Sequence, residues 1–240
     1  RRSPRVQRAA ATALSDAELM ASEPLTGVLS QKGWVRAAKG HDLDPTGLNY
    51  REGDGYLASV RGKTNQLCVV FDSEGRAYTT PAHTLPSARG HGEPLSGRFS
   101  PPAGARFDAV LIGDEPDKVV IATSHGYGFV ATFGNLVSRN KNGKQLVALA
   151  AGARILPPVR VGDLARDRVV AATNAGRLLM FSVAELPELD KGKGNKLLEI
   201  PKARLAQGEE WCAGVTVIAE GSDVVVYSGS RHLTLKWSDL

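Results

Sequence analysis

The chain has 240 residues, 42% hydrophobic and 23% charged, with a formal net charge of +5, proportions that fit a globular chain with a buried core and exclude a disordered one. No apolar run reaches the ~18–20 residues that span a bilayer, and residues 1–10 lack the apolar core of a signal peptide. Two cysteines, Cys68 and Cys212, are too few for a disulfide framework or a Cys-rich zinc site, so a soluble chain in a reducing compartment is expected.

Residues 1–23 open with Arg1, Arg2, Arg5 and Arg8 and then turn alanine-rich before Pro24. They read as a linker or short helix arriving from a preceding domain, either a frayed tail or an arm that touches nucleic acid. Residues 24–240 read as one repeat domain. A β-branched run leads into a small polar turn and an anchor, usually glycine, five times: GVLSQKGWV, CVVFDSEGRAYTT, VVIATSHGYGFVATF, VVAATNAGRLLMF and VVVYSGSRHLTLK. The anchors are Gly33, Gly75, Gly126, Gly176 and Arg231, in steps of 42, 51, 50 and 55 residues. Such steps fall in the range of propeller blades.

The register extends to either side of the anchor. Three residues before it stand Ser30, Asp72, Thr123, Thr173 and Ser228, whose side chains can bond the backbone of a turn; ten residues after it stand Leu43, Leu85, Leu136 and Leu186, with Leu240 nine after Arg231. Each anchored unit reads as a hairpin. Further loops, RGKTNQ, GDEPDK, GDLARD and EGSD, precede the last four units and read as second hairpins, which makes four strands per unit. Five such units form a propeller-like disc in an all-β fold, with an open β-sandwich array or two β-domains as the alternative.

Cationic residues recur in one loop of each unit. Arg89 and His91 lie between Leu85 and Leu95; Arg139, Lys141 and Lys144 between Leu136 and Leu146; Lys191, Lys193 and Lys196 between Leu186 and Leu197; Arg36 and Lys39 form a shorter equivalent in the first unit. Radial repetition would set these loops on one rim as a basic stripe, matching the line of phosphates on duplex DNA. Glycine beside lysine would let backbone N–H groups approach phosphate oxygens. No groove-reading helix is evident, so binding indifferent to base sequence is expected.

Other chemistry finds little support. Gly62-Lys63-Thr64 ends like a phosphate-binding P-loop, but Leu57 stands where that motif needs its first glycine. Ser138-Arg139-Asn140-Lys141 has the spacing of a serine acyltransferase motif without its companion motifs. His41, His83, His91, His125 and His232 show no paired metal-ligand spacing.

The segments WVRAAKGHDLD, LNYREGD, LPSARGHGEPLSG, GYGFVATF, GRLLMF and LPELDKGKGNKLLEIP resemble the C-terminal domain of bacterial topoisomerase IV A subunits, a relative of the C-terminal domain of the gyrase A subunit. The resemblance runs from about Glu23 to the end. It implies a five-bladed β-pinwheel whose blades exchange strands. It also implies an accessory, non-catalytic role in a bacterial, cytoplasmic enzyme: binding and bending duplex DNA and presenting the transported segment. The family's nucleophile, ATP and Mg2+ belong elsewhere in the enzyme, so no cofactor is expected in this domain. Implied partners are DNA, the catalytic part of the same polypeptide, the enzyme's B subunit and a condensin. A protein-docking propeller for acidic partners is the alternative. SRNKNGKQ and DKGKGNK are degenerate forms of the gyrase QRRGGKG box, which implies weaker bending. Relatives continue beyond the position of Leu240, so the fifth blade is expected to be incomplete or open unless the segment near Glu18 to Met20 pairs with it.

Overall fold

The computed structural model describes residues 20–239. The arginines at positions 1, 2, 5 and 8, together with Glu18 and Leu240, lie outside the described residues. The first strands are β1 (Pro24–Ser30), β2 (Trp34–Lys39) and β3 (Tyr56–Lys63). The second unit adds β4 (Leu67–Asp72), β5 (Arg76–Pro81), β6 (Glu93–Pro94) and β7 (Phe107–Gly113); the third adds β8 (Lys118–Ala122), β9 (Tyr127–Thr132), β10 (Lys144–Gln145) and β11 (Val159–Val161). The fourth contributes β12 (Arg168–Thr173), β13 (Leu178–Ser182), β14 (Asn195–Lys196) and β15 (Cys212–Ile218), and the chain closes with β16 (Val224–Ser228) and β17 (Arg231–Leu235). The longest described helix, Lys202–Ala206, has 5 residues.

Three antiparallel four-stranded sheets follow, ordered β3-β1-β2-β6, β10-β5-β4-β7 and β11-β8-β9-β14, then a three-stranded sheet β13-β12-β15 and the two-stranded hairpin β16-β17. The anchored hairpins form as expected, and Gly33, Gly75, Gly126 and Gly176 all hold positive φ at the turn. The polar residue three before the anchor caps that turn: Trp34 N–H donates to Ser30 Oγ at 3.0 Å, Arg76 N–H to Asp72 Oδ1 at 2.9 Å and Arg177 N–H to Thr173 Oγ1 at 3.3 Å.

Two expectations need correction. The loops at 61–66, 113–118, 162–167 and 220–223 are not hairpins: each carries the chain from one sheet to the next, as from β3 to β4 or β7 to β8. The fourth strand of a sheet is instead lent by the following unit, β6 to β2, β10 to β5 and β14 to β9. In the fifth unit the turn closes at Gly229, with φ 60°, between Ser228 and Arg231, so Arg231 opens the return strand rather than anchoring the turn. Among the described residues the fifth blade is a lone hairpin, with Tyr227 75% exposed. Met20 does not pair with it; the neighbouring Ala21 carbonyl accepts from Thr64 Oγ1 at 2.7 Å, on the first inter-sheet turn.

A shared register places the axis. Tyr56 pairs with Ser30, Phe107 with Asp72, Ile155 with Thr123 and Cys212 with Thr173, and in three of these pairs the register slips by one residue at that point. Each slip is a β-bulge that bends its strand. Leu57, Asp108 and Ala213, the bulged residues, line one cavity together with Ile155. The strands β3, β7 and β15 therefore face the centre, and β6, β10 and β14, at the opposite edge of their sheets, lie outermost. Three apolar clusters fill the wedges between neighbouring sheets, built around Tyr78 and Ile112, Phe71 and Phe129, and Val169 and Leu197.

Candidate nucleic-acid interface

The basic loops are the segments that carry the chain out to β6, β10 and β14. Each is stapled by buried leucines at both ends: Leu85 and Leu95, Leu136 and Leu146, Leu186 and Leu197. The second leucine of each pair donates its N–H to the preceding unit's anchor carbonyl, Leu95 to Gly33 at 2.9 Å, Leu146 to Gly75 at 3.0 Å and Leu197 to Gly126 at 2.8 Å. One residue before each short strand stands a positive-φ glycine, Gly92, Gly143 or Gly194. A Cβ there would lie 2.3 Å from Val35 O, 2.9 Å from Ala77 O or 2.0 Å from Gly128 O. Glycine is thus required by the close passage of the crossing strand over its neighbour. Strand crossing is thus a structural reason for glycine at these positions, beside the expectation that glycine lets backbone N–H groups approach phosphate oxygens.

Between the staples the cations point outward. Arg89, His91, Arg139, Lys141 and Lys191 are exposed, and among the described residues no ion pair or side-chain hydrogen bond engages their charged groups. Lys144 is exposed and donates to Asn135 O at 2.9 Å. Lys193 sets its ammonium 3.8 Å from the centre of the Tyr127 ring, a cation–π contact that fixes an otherwise mobile side chain. Lys196 pairs with Glu199 at 2.9 Å, and that hydrogen bond raises its pKa. Lys39, exposed, ends β2 on the opposite side of the first sheet from the Gly33 turn.

Arg36 does not join this set. It is 4% exposed, donates from Nη1 to Gly90 O at 2.8 Å and lies 4.6 Å over the Tyr50 ring. Its guanidinium fastens the Arg89 loop from beneath. The recurrence of arginine in a loop carried no signal that this copy sits on the buried face of β2.

Adjacent loops are joined by backbone hydrogen bonds. Ser100 N–H, beyond β6, donates to Lys141 O at 2.8 Å; Gly192 N–H donates to Leu146 O at 2.8 Å, and Ala148 N–H to Gly192 O at 2.9 Å. The three basic loops are therefore neighbours along the outer edge of three successive sheets. Aligned on the short strands, which begin at Glu93, Lys144 and Asn195, Arg89 matches Asn140 and Lys191, and His91 matches Asn142 and Lys193. The charge recurs loop by loop rather than position by position.

The family model described as "DNA gyrase C-terminal domain, beta-propeller" matches residues 117–160 and 167–219, the third and fourth repeat units. The solved structure of the E. coli ParC C-terminal domain is 49% identical, has a TM-score of 0.74, and is matched over 91% of this chain and 88% of its own. The chain belongs to the C-terminal domain family of topoisomerase IV A subunits. The A subunit of DNA topoisomerase 4 from Pseudomonas aeruginosa is 52% identical over all 240 residues, which cover 32% of its length. The chain thus spans about a third of the curated relatives it matches, as a non-catalytic accessory domain of such a subunit. A gyrase A C-terminal domain, 13% identical with a TM-score of 0.69, shares the fold. No described helix is long and apolar enough to cross a membrane.

Proposed function

We propose that this topoisomerase IV C-terminal domain binds duplex DNA through its phosphates along the outer edge of the second to fourth units and bends it there. In this reading it presents the transported segment to the catalytic part of the same polypeptide and tunes preference among supercoiled and catenated substrates. The contact residues are Arg89, His91, Arg139, Lys141, Lys144, Lys191, Lys193 and Lys196, with Lys39 at the near end. The observation that carries this reading is the backbone linkage of three exposed basic loops into one continuous path. Cations held on a curved edge match a bent phosphate backbone, and exposed charges displace condensed counterions from it. Bending a site of 20–30 bp costs on the order of 1–6 kcal/mol, so several loops must act together. ATP and Mg2+ serve the parent enzyme elsewhere, the enzyme's B subunit completes it, and its place is the bacterial cytoplasm.

The test is the pair Lys191→Glu and Lys193→Glu in the 240-residue chain. Affinity for a random-sequence duplex should fall, and the slope of log K against log salt should flatten by about one unit per lost phosphate contact. Unchanged affinity and slope would remove the rim from the interface. A second reading, docking of an acidic partner such as a condensin, has the exposed fifth hairpin in its favour, with Arg231 and His232 beside Tyr227 and Leu233. It requires the rim to show no duplex affinity at moderate salt.

A further inference from the structure

The rim does not account for four arginines paired with two buried acids beside the axial cavity, which Arg154 and Asp108 line directly. Asp108, with a side chain 3% exposed, holds two of them: Arg154 Nη2 is 3.1 Å from Oδ1 and Arg106 Nη2 3.8 Å from Oδ2. Glu210, fully buried, holds the other two: Arg177 Nε is 3.1 Å from Oε1 and Arg204 Nη1 3.3 Å from Oε2. Thr173 Oγ1 adds a hydrogen bond to Glu210 Oε1 at 3.0 Å. Asp108 Oδ2 and Glu210 Oε2 accept no hydrogen bond, so the acids orient the guanidiniums through a few contacts and leave most of their donors unused. The arginine side chains remain 60%, 55%, 49% and 44% exposed for Arg106, Arg154, Arg177 and Arg204. Even with Glu209 at 3.7 Å from Arg204, the face keeps a positive surplus.

Trp211, next to Glu210 in the chain and 42% exposed, lines the cavity with Asp108 and Arg154, its backbone N–H held by Asn174 Oδ1 at 2.8 Å. Beneath it opens the axial cavity, about 520 Å³, with Leu57, Ile155, Leu156 and Leu205 among its walls. That volume is in the range that takes a compact ligand group. The chemistry differs from that of the rim. The rim offers lysines and glycines on a convex edge, whereas the axial face offers pre-oriented guanidinium forks, which read carboxylates bidentately, around an apolar concavity. Tryptophan and arginine around a desolvated pocket is the composition of protein-contact hot spots. The phosphate line that the rim is proposed to bind offers no apolar group to fill such a recess.

We propose that the axial face is a docking site for an acidic protein segment whose carboxylates engage Arg106, Arg154 and Arg177 and whose apolar side chain enters the cavity beside Trp211. This site is separate from the rim, so it can stand or fall independently of the DNA reading. The probe is a fluorescein-labelled octapeptide of alternating glutamate and leucine, titrated against the 240-residue chain at low salt. Removing Arg154 alone would strand Asp108 in the interior, so the paired change Asp108→Asn with Arg154→Gln is used. Arg106→Ala, at the longest of these contacts, serves as a second variant, and melting curves confirm that both fold. Each should weaken the peptide by about tenfold or more, while the rim variant Arg139→Glu with Lys141→Glu leaves it unchanged. Three results would overturn the proposal: equal affinity in both axial variants, an equal loss in the rim variant, or displacement of the peptide by a duplex.

Discussion

His125 sits in the turn of the third unit, part-buried at the wall of the axial cavity and close to Lys193. Burial holds its imidazole below the ordinary histidine value, and the Lys193 charge pushes the same way. Its folded pKa is therefore lower than its unfolded one. The stability tied to the neutral ring is present above about pH 6.5 and is lost as pH falls through the folded value, because the unfolded chain takes up the proton first. Wild type should lose melting temperature between about pH 7 and 5 more steeply than His125→Asn, as melting curves across that range will show. Parallel slopes would mean that the imidazole has no such linkage. The same scale separates Arg36 from Arg89: both were legible as basic residues of a repeated loop, but burial on β2 turns one into an anchor.

The element that matters most is the crossing segment, a positive-φ glycine, two paired residues and a buried leucine. Its residue types were visible in the sequence as Gly-Lys loops bounded by leucines. Its destination was not, because pairing with the previous sheet depends on contacts 58 to 69 residues away, Asn195 with Gly128 for example. Gly194 tests the logic. An alanine there meets both left-handed backbone strain and Gly128 O at 2.0 Å. Gly194→Ala should destabilise the domain by about 1–3 kcal/mol or more, measured by denaturant unfolding. An alanine at Gly90, where a Cβ meets nothing within 4 Å, should cost far less by the same measurement. The fifth hairpin shows what the crossing strand contributes elsewhere: among the described residues β16 and β17 pair only with each other, and such isolated hairpins are marginal in water.

At the scale of the whole molecule, a stiff duplex drawn around a convex edge springs outward at its ends. On the proposed function the terminal loops would therefore hold the bend, while the middle one mainly adds affinity. Reversing Lys191 and Lys193 should lower end-to-end energy transfer in a doubly labelled duplex of roughly 30 bp at saturating protein. Reversing Arg139 and Lys141 should weaken binding yet leave the saturated transfer nearly unchanged. Equal angular losses from both pairs would mean that the loops do not divide the work in this way.

The sequence by itself determined the repeat, the anchor glycines, the capping residues at Ser30, Asp72 and Thr173, and the loops that carry positive charge, since each is a local requirement of a tight turn or a solvated segment. Strand exchange was implied only by the family resemblance; the tertiary structure decided which short strands are exchanged, β6, β10 and β14, and that Arg36 faces inward. It also decided that exposed lysines gather on the outer edge while arginines paired with buried acids stand beside the axial cavity. Those outcomes depend on strand pairing and burial between residues distant in the chain, and periodicity along one dimension does not encode which sheet a short strand joins.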